Sequence, residues 1–110
     1  MAELEDGDRA AEAAIHTRSD QTGVPIVTVS GDLDISNADA LEATVASIVA
    51  QRAERLIFDL RGLRFIDSAG IAVLLRAAAR VNDVNLRHPS PAVRRVIELT
   101  GLGSVLTIES

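Results

Sequence analysis

Ser68 stands in the run FIDSAG, after Asp67 and before Ala69 and Gly70. A serine hydroxyl flanked by small residues is accessible to a partner, and the same serine could also do no more than cap a helix. A second acidic run, GDLDIS over 31–36, carries Asp32 and Asp34. Paired carboxylates can do acid–base work, and together with Asp67 they could in principle hold Mg²⁺. Neither loop supplies a catalytic partner, however, and aspartates in loops commonly serve turn chemistry. His16 and His88 lie far apart in the chain, in an order that suggests no Ser-His-Asp relay. Both read as ordinary histidines. The expectation is a protein with no catalytic residue, no metal site and no cofactor.

The elements that position these residues follow from periodicity. AAIHTRS (13–19) and VPIVTVS (24–30), separated by the turn cluster SDQTG, read as a hairpin with Pro25 at a strand start. GDLDIS reads as a loop. Leu41, Val45, Ile48 and Val49 recur at helical spacing and predict a helix over roughly 37–52, with Ser36 and Asp39 resembling a capping box. RLIFDL (55–60) suits a strand covered on both faces. RGLRFID (61–67) reads as a connection with Phe65 and Ile66 buried. A second helix is expected from an N-cap at Ser68 to about Val81, with Ile71, Leu74, Leu75, Ala78 and Val81 on its inner stripe and Arg76 and Arg80 in solvent. NDVNLRH (82–88) holds another strand. Ser90-Pro91 opens a third helix that faces inward through Val93, Val96, Ile97 and Thr100 and stops at Gly101. VLTI (105–108) reads as a last edge strand or as part of a final short segment.

Strands alternating with helices imply a mainly parallel sheet. A right-handed crossover from strand 24–30 to strand 55–60 then brings the following loops to one edge. That edge collects Asp32, Asp34, Ser36, Asp67, Ser68, Ala69 and Gly70, and carboxyl edges of such sheets are where sites are usually built. From spacing alone the helix-cap reading of Ser68 stays ahead of the functional one.

Composition narrows the function classes. The chain has 110 residues and 47% apolar content, enough for one globular domain with a real core. Residues 1–12 are acidic and read as a flexible tail ahead of a single domain over 13–110. With no cysteine, disulfides, thiolate metal sites and thiol redox chemistry are excluded. All eleven basic residues are arginine, so lysine-based catalysis and Walker-type phosphate loops are excluded too. A net charge of −5 with two phenylalanines as the sole aromatics argues against a nucleic-acid partner. No segment is apolar over the length of a membrane span, and the N-terminus lacks a signal-peptide core. The expectation is a soluble cytoplasmic protein with no membrane partner.

Three ordered segments carry a resemblance. LIFDLRGLRFIDSAGIAVLLRAAARV (56–81) resembles the central signature of the STAS-domain anti-sigma factor antagonists. VTVSGDLDISNADALEATV (27–45) resembles their first stretch, and PSPAVRRVIELTGLGSVLTI (89–108) their closing helix and tail. The resemblance implies a mixed α/β sheet of four or five strands with helices packed mainly on one face. It implies a partner, an anti-sigma factor that is also an ATP-dependent serine kinase. The unphosphorylated antagonist would capture that partner and release the sigma factor in transcription control such as a stress response. Phosphorylation of Ser68 would end the capture, and a phosphatase would restore it. Asp34 and Asp67 would lie on the partner-facing surface. Departures are small: Ala69 stands where a second serine is common, Ile71 where leucine is frequent, and Asp32 where glutamate is usual. Relatives also serve as non-catalytic scaffolds of signalling complexes or as transporter-associated parts, which is the alternative role.

Overall fold

The structure, a computed structural model, describes residues 13–109. The expected acidic tail over 1–12 lies outside the described residues. Strands β1 (Ala14–Ser19), β2 (Pro25–Leu33), β3 (Arg55–Asp59), β4 (Leu63–Ile66), β5 (Asp83–Arg87) and β6 (Thr107–Glu109) form one sheet. Helices α1 (Ala38–Ala50), α2 (Ser68–Arg80) and α3 (Pro91–Leu99) connect them, and a 3₁₀ turn covers Leu102–Ser104. The strand order is β1-β2-β3-β5-β6, with β4 paired to β2 off that path. The β1–β2 hairpin is antiparallel, and the other pairings are parallel. This is the mixed sheet with helices that the sequence predicts, with six strands instead of four or five.

The extra strand comes from a segment read as a connection. After β3, the chain turns at Leu60–Gly62 and runs on beside the upper half of β2 as β4. β2 is correspondingly longer than expected: it continues through Gly31, Asp32 and Leu33 instead of ending in a loop. Its register against β4 shifts between Gly31 and Asp32, where Gly31 takes φ 85°. Glycine accepts that backbone, and such a bulge re-aims the residues that follow.

Alternation along the strands sets the core. Val27, Val29, Leu56, Phe58, Val84 and Leu86 join Leu41, Val45 and Ile48 of α1, Val73, Leu74 and Ala77 of α2, and Val93 and Ile97 of α3 in one apolar cluster. The described helices therefore cover one face of the sheet. The other face carries an Arg18–Ile26–Ile57–Asn85 row across four strands, in which the two isoleucines are buried. Asn85 is buried there as well and donates its amide to Glu109.

Several expected details are corrected. Phe65 is 51% exposed, because β4 turns Leu63 and Ile66 inward and Arg64 and Phe65 outward. On α2 the buried positions are Gly70, Val73, Leu74 and Ala77, while Leu75 is 49% exposed. On α3, Thr100 is exposed and Val93 and Ile97 carry the burial. Asn37, not Ser36, precedes the first turn of α1 and makes no side-chain cap there, so no capping box forms. The expectations at α3 hold at both ends. Ser90 caps it by accepting from the Val93 amide at 3.2 Å, Pro91 occupies its first position, and Gly101 turns the chain with φ 79°.

Arg76 and Arg80 are not plain solvated residues. Both reach from α2 to Glu42 of α1, at 3.1 and 2.6 Å. Partial burial pushes the Glu42 carboxyl up, and the hydrogen bonds from Arg80 and Arg76 outweigh it, leaving the group below its usual range. A carboxyl depressed in the folded state stabilises above its unfolded pKa, and that stability is lost as pH falls through the folded value. We expect Glu42→Gln to cost about 1 kcal/mol at neutral pH and to flatten the acid side of the stability profile, measured as urea midpoints from pH 7 down to 3. Phe58, fully buried on the central strand β3, should cost about 3–5 kcal/mol when replaced by alanine, with the loss read from the same denaturation curves.

Candidate functional site

The two motif-bearing loops meet because β2 and β4 run parallel and adjacent. The amide of Asp67 donates to the Leu33 carbonyl at 3.1 Å, which carries the ladder one step past β4 and ties the start of α2 to the end of β2. The expected convergence is therefore real for the segment from Asp32 to Ser36 and for Asp67, Ser68, Ala69 and Gly70. It arises from β4 and not from the 55–60 strand on its own.

The side chains at this edge divide into those that hold the local chain and one that does not. Asp67 is the N-cap of α2: its Oδ1 accepts from the Ala69 amide at 2.9 Å and the Gly70 amide at 3.2 Å. Ser68 is the first helical residue and is exposed. This corrects the expectation that Ser68 caps the helix. The carboxylate one residue earlier does so, and it leaves the hydroxyl with no capping role. Gly70 also has a different function from the one its size suggested. It is buried, and a Cβ there would come within 2.8 Å of both Leu33 and Ile66. Its smallness permits the close approach of α2 to β2 and β4, and does not open the surface.

The first loop is held by its own side chains. Asp34 Oδ1 accepts from the Ser36 amide at 2.9 Å and from the Ser36 hydroxyl at 2.5 Å. Asn37 accepts from the Asp34 amide at 2.9 Å and donates to the Asp32 carbonyl at 2.8 Å. The Asp34 carbonyl takes the amides of Asn37 and Ala38 at 3.1 and 2.9 Å. Asp32 pairs with Arg64 of β4 at 3.5 Å. Asn37 escaped the sequence reading, although asparagine is a common turn residue whose side chain bonds nearby backbone.

The chemistry open to this edge is limited. Among the described residues no three His, Cys, Asp or Glu side chains come together to hold a metal. His16 lies exposed on β1. His88 follows β5 with φ 57° and its amide on the Glu109 carbonyl. Neither is placed at the Asp67–Ser68 junction by any hydrogen bond. A shallow groove between β1 and α1, lined by Thr17, Ser19, Thr44, Ser47 and Gln51, carries no titratable group. What the edge offers is a solvent-facing hydroxyl on a helix N-terminus, set among carboxylates that are already engaged.

Comparison with known proteins bears on this arrangement. A family model described as Mlab, STAS domain, matches residues 16–107. Anti-sigma-F factor antagonist RsfB of Mycobacterium tuberculosis is 26% identical over 104 residues, covering 92% of this chain and 85% of that protein. The crystal structure of an anti-sigma factor antagonist from Mycobacterium paratuberculosis superposes with a TM-score of 0.82 at 29% identity, covering 90% of this chain and 86% of the other. The fold is shared as well with the Bacillus cell fate determinant SpoIIAA, solved in a phosphorylated form. That structure gives a TM-score of 0.70 at 22% identity over 88% of this chain and 92% of that one. No described helix is long and apolar enough to cross a membrane.

The division of labour at the start of α2 is open to test. Asp67→Ala should lower stability by about 1 kcal/mol through loss of the cap, whereas Ser68→Ala, at an exposed position, should stay within about 0.5 kcal/mol of the parent. Gly70→Ala should cost about 1–3 kcal/mol through overpacking against Leu33 and Ile66. Chemical denaturation of the three variants separates these outcomes, and a Ser68→Ala loss as large as that of Asp67→Ala would return the cap to Ser68.

Proposed function

Because the chain belongs to the STAS domain family, and its relatives are anti-sigma factor antagonists, we propose that it is itself such an antagonist, switched by phosphorylation of Ser68. In its unphosphorylated form it binds an anti-sigma factor with serine kinase activity through the edge formed by Asp32, Asp34, Ser36, Asp67, Ser68 and Ala69, which the buried Gly70 seats against β2 and β4, and the sigma factor is released. The kinase transfers a phosphoryl group from ATP to the Ser68 hydroxyl, and a phosphatase removes it. The protein acts in the cytoplasm as a binding module without catalytic residues of its own.

The observation that carries this reading is the state of Ser68. Its hydroxyl is exposed on the first residue of α2, and the structure does not use it: the cap belongs to Asp67. A kinase can reach the oxygen without unfolding the helix. The added group brings about −1.5 to −2 charges. Those charges would face the helix dipole, which tolerates them. Yet the amides of Ala69 and Gly70 are already occupied by Asp67, so a phosphate gains little local pairing and keeps most of its charge for the interface. Desolvation and like-charge repulsion beside Asp67 then oppose partner binding. The switch is a change of surface chemistry on an unchanged fold.

The test pairs the protein with its anti-sigma factor and ATP. Mass spectrometry should find one phosphate, on Ser68, and none in Ser68→Ala. Ser68→Asp should bind the anti-sigma factor at least about tenfold more weakly, which is about 1.4 kcal/mol, with its melting temperature preserved. Phosphorylation of Ser68→Ala at the parental level would remove the assignment.

A further inference from the structure

Ile35 is 81% exposed, more than Leu99, Val105, Phe65 or Leu75. A lone apolar side chain on a surface is ordinary in itself. Its setting here is not. Ile35 stands between Asp34 and Ser36, at the tip of a turn in which Asp34 grips the amide and hydroxyl of Ser36 and Asn37 grips the Asp34 amide and the Asp32 carbonyl. The Asp34 carbonyl receives two further amides at the start of α1. A turn with so many internal hydrogen bonds cannot relax to tuck its apolar tip away. It begins one residue after Leu33, whose carbonyl holds the Asp67 amide, so the exposed isoleucine and the exposed serine belong to the same edge of the sheet.

Building on the reading that this edge binds an anti-sigma factor, we infer that Ile35 is the apolar anchor of that interface and that Asp34 and Asn37 are positioning residues that hold it out. The occupant is an apolar socket on the anti-sigma factor with a basic rim. The charge around Ile35 selects that rim: Asp32, Asp34, Asp39 and Asp67 lie on the two segments that flank the tip, and the chain is acidic overall. Interfaces commonly draw most of their affinity from a few rigidly presented apolar or aromatic side chains that fill a pocket. A pre-formed turn meets that requirement, because little ordering is left to complete on binding. The placement also explains how a single phosphate could act strongly. A charge on Ser68 would have to enter the same water-excluding patch that the isoleucine needs closed.

Titration calorimetry of the unphosphorylated chain against the anti-sigma factor that it captures decides the point. Ile35→Ser should weaken binding about 10- to 100-fold, Ile35→Val by no more than about threefold, and both should melt with the parent, since the side chain is solvated. Leu99→Ser, equally apolar and exposed but at the far end of α3, should bind normally. Asp34→Ala should weaken binding about as much as Ile35→Ser. Asp34→Asn keeps an oxygen for Ser36 while losing the charge, and should bind within about threefold of the parent. Parental affinity for Ile35→Ser overturns the anchor, and equal losses for Asp34→Asn and Asp34→Ala overturn the positioning role in favour of a direct charge contact. If the parental chain captures no anti-sigma factor, the reading of the edge fails and the occupant inferred here fails with it. Binding by the parent with unchanged binding by Ile35→Ser overturns the anchor alone.

Discussion

The seam between β2 and the β4–α2 junction is the constraint on which the rest of this molecule depends. The Asp67 amide reaches the Leu33 carbonyl, and Gly70 lies so close to Leu33 and Ile66 that no side chain fits between them. These contacts bring two loops from distant parts of the sequence side by side. They also fix the angle at which α2 leaves the sheet, and therefore where Ser68 points. β4 is only four residues long, yet without it the chain would pass from β3 into α2 with no partner for the upper half of β2. The bulge at Gly31 belongs to the same seam, since it adjusts the register so that Leu33 and Ile66 pair.

Aspartates crowd this edge, and three of them also hold the local chain together. Asp67 satisfies two helix amides, Asp34 closes a turn, and Asp32 faces Arg64. Buried or half-buried carboxylates that accept backbone amides stabilise the local chain and become unavailable for chemistry. The outward features are then the Ser68 hydroxyl and the Ile35 side chain, both exposed. On this edge the local hydrogen bonds are carried by Asp34, Asn37 and Asp67, and the exposed hydroxyl of Ser68 and side chain of Ile35 lie outside them.

The remainder of the fold supports this edge at a distance. The three helices lie on one face, where α1 and α2 are joined through Glu42, Arg76 and Arg80. That clamp fixes the two helices whose N-termini carry the two loops. The opposite face is bound by strand pairing, with Ile26 and Ile57 buried between Arg18 and Asn85. Packing on one face and strand pairing on the other thus hold the sheet edge that carries Ser68 in place.

Much of this was legible from the residues alone. Period-3.6 spacing located the three helices among the described residues, β-branched runs located the hairpin and the central strands, and Ser90-Pro91 and Gly101 marked the ends of α3, because those signals are local and depend on backbone preference. The alternation of strands and helices also pointed the two acidic segments to one edge, although the pairing that joins them there is made by β4. Tertiary structure decided what spacing could not. RGLRFID became a strand through its pairing with β2, a long-range partner that no local pattern reveals, and the same pairing turned Phe65 outward. Whether Asp67 or Ser68 capped α2 depended on which of two adjacent polar side chains lay outside the first turn, a choice fixed by the Leu33–Asp67 hydrogen bond. The smallness of Gly70 served packing against Leu33 and Ile66, contacts visible only once the chain has folded. Sequence thus determined which residues could meet, and the β2–β4 seam determined which of them remained free to act.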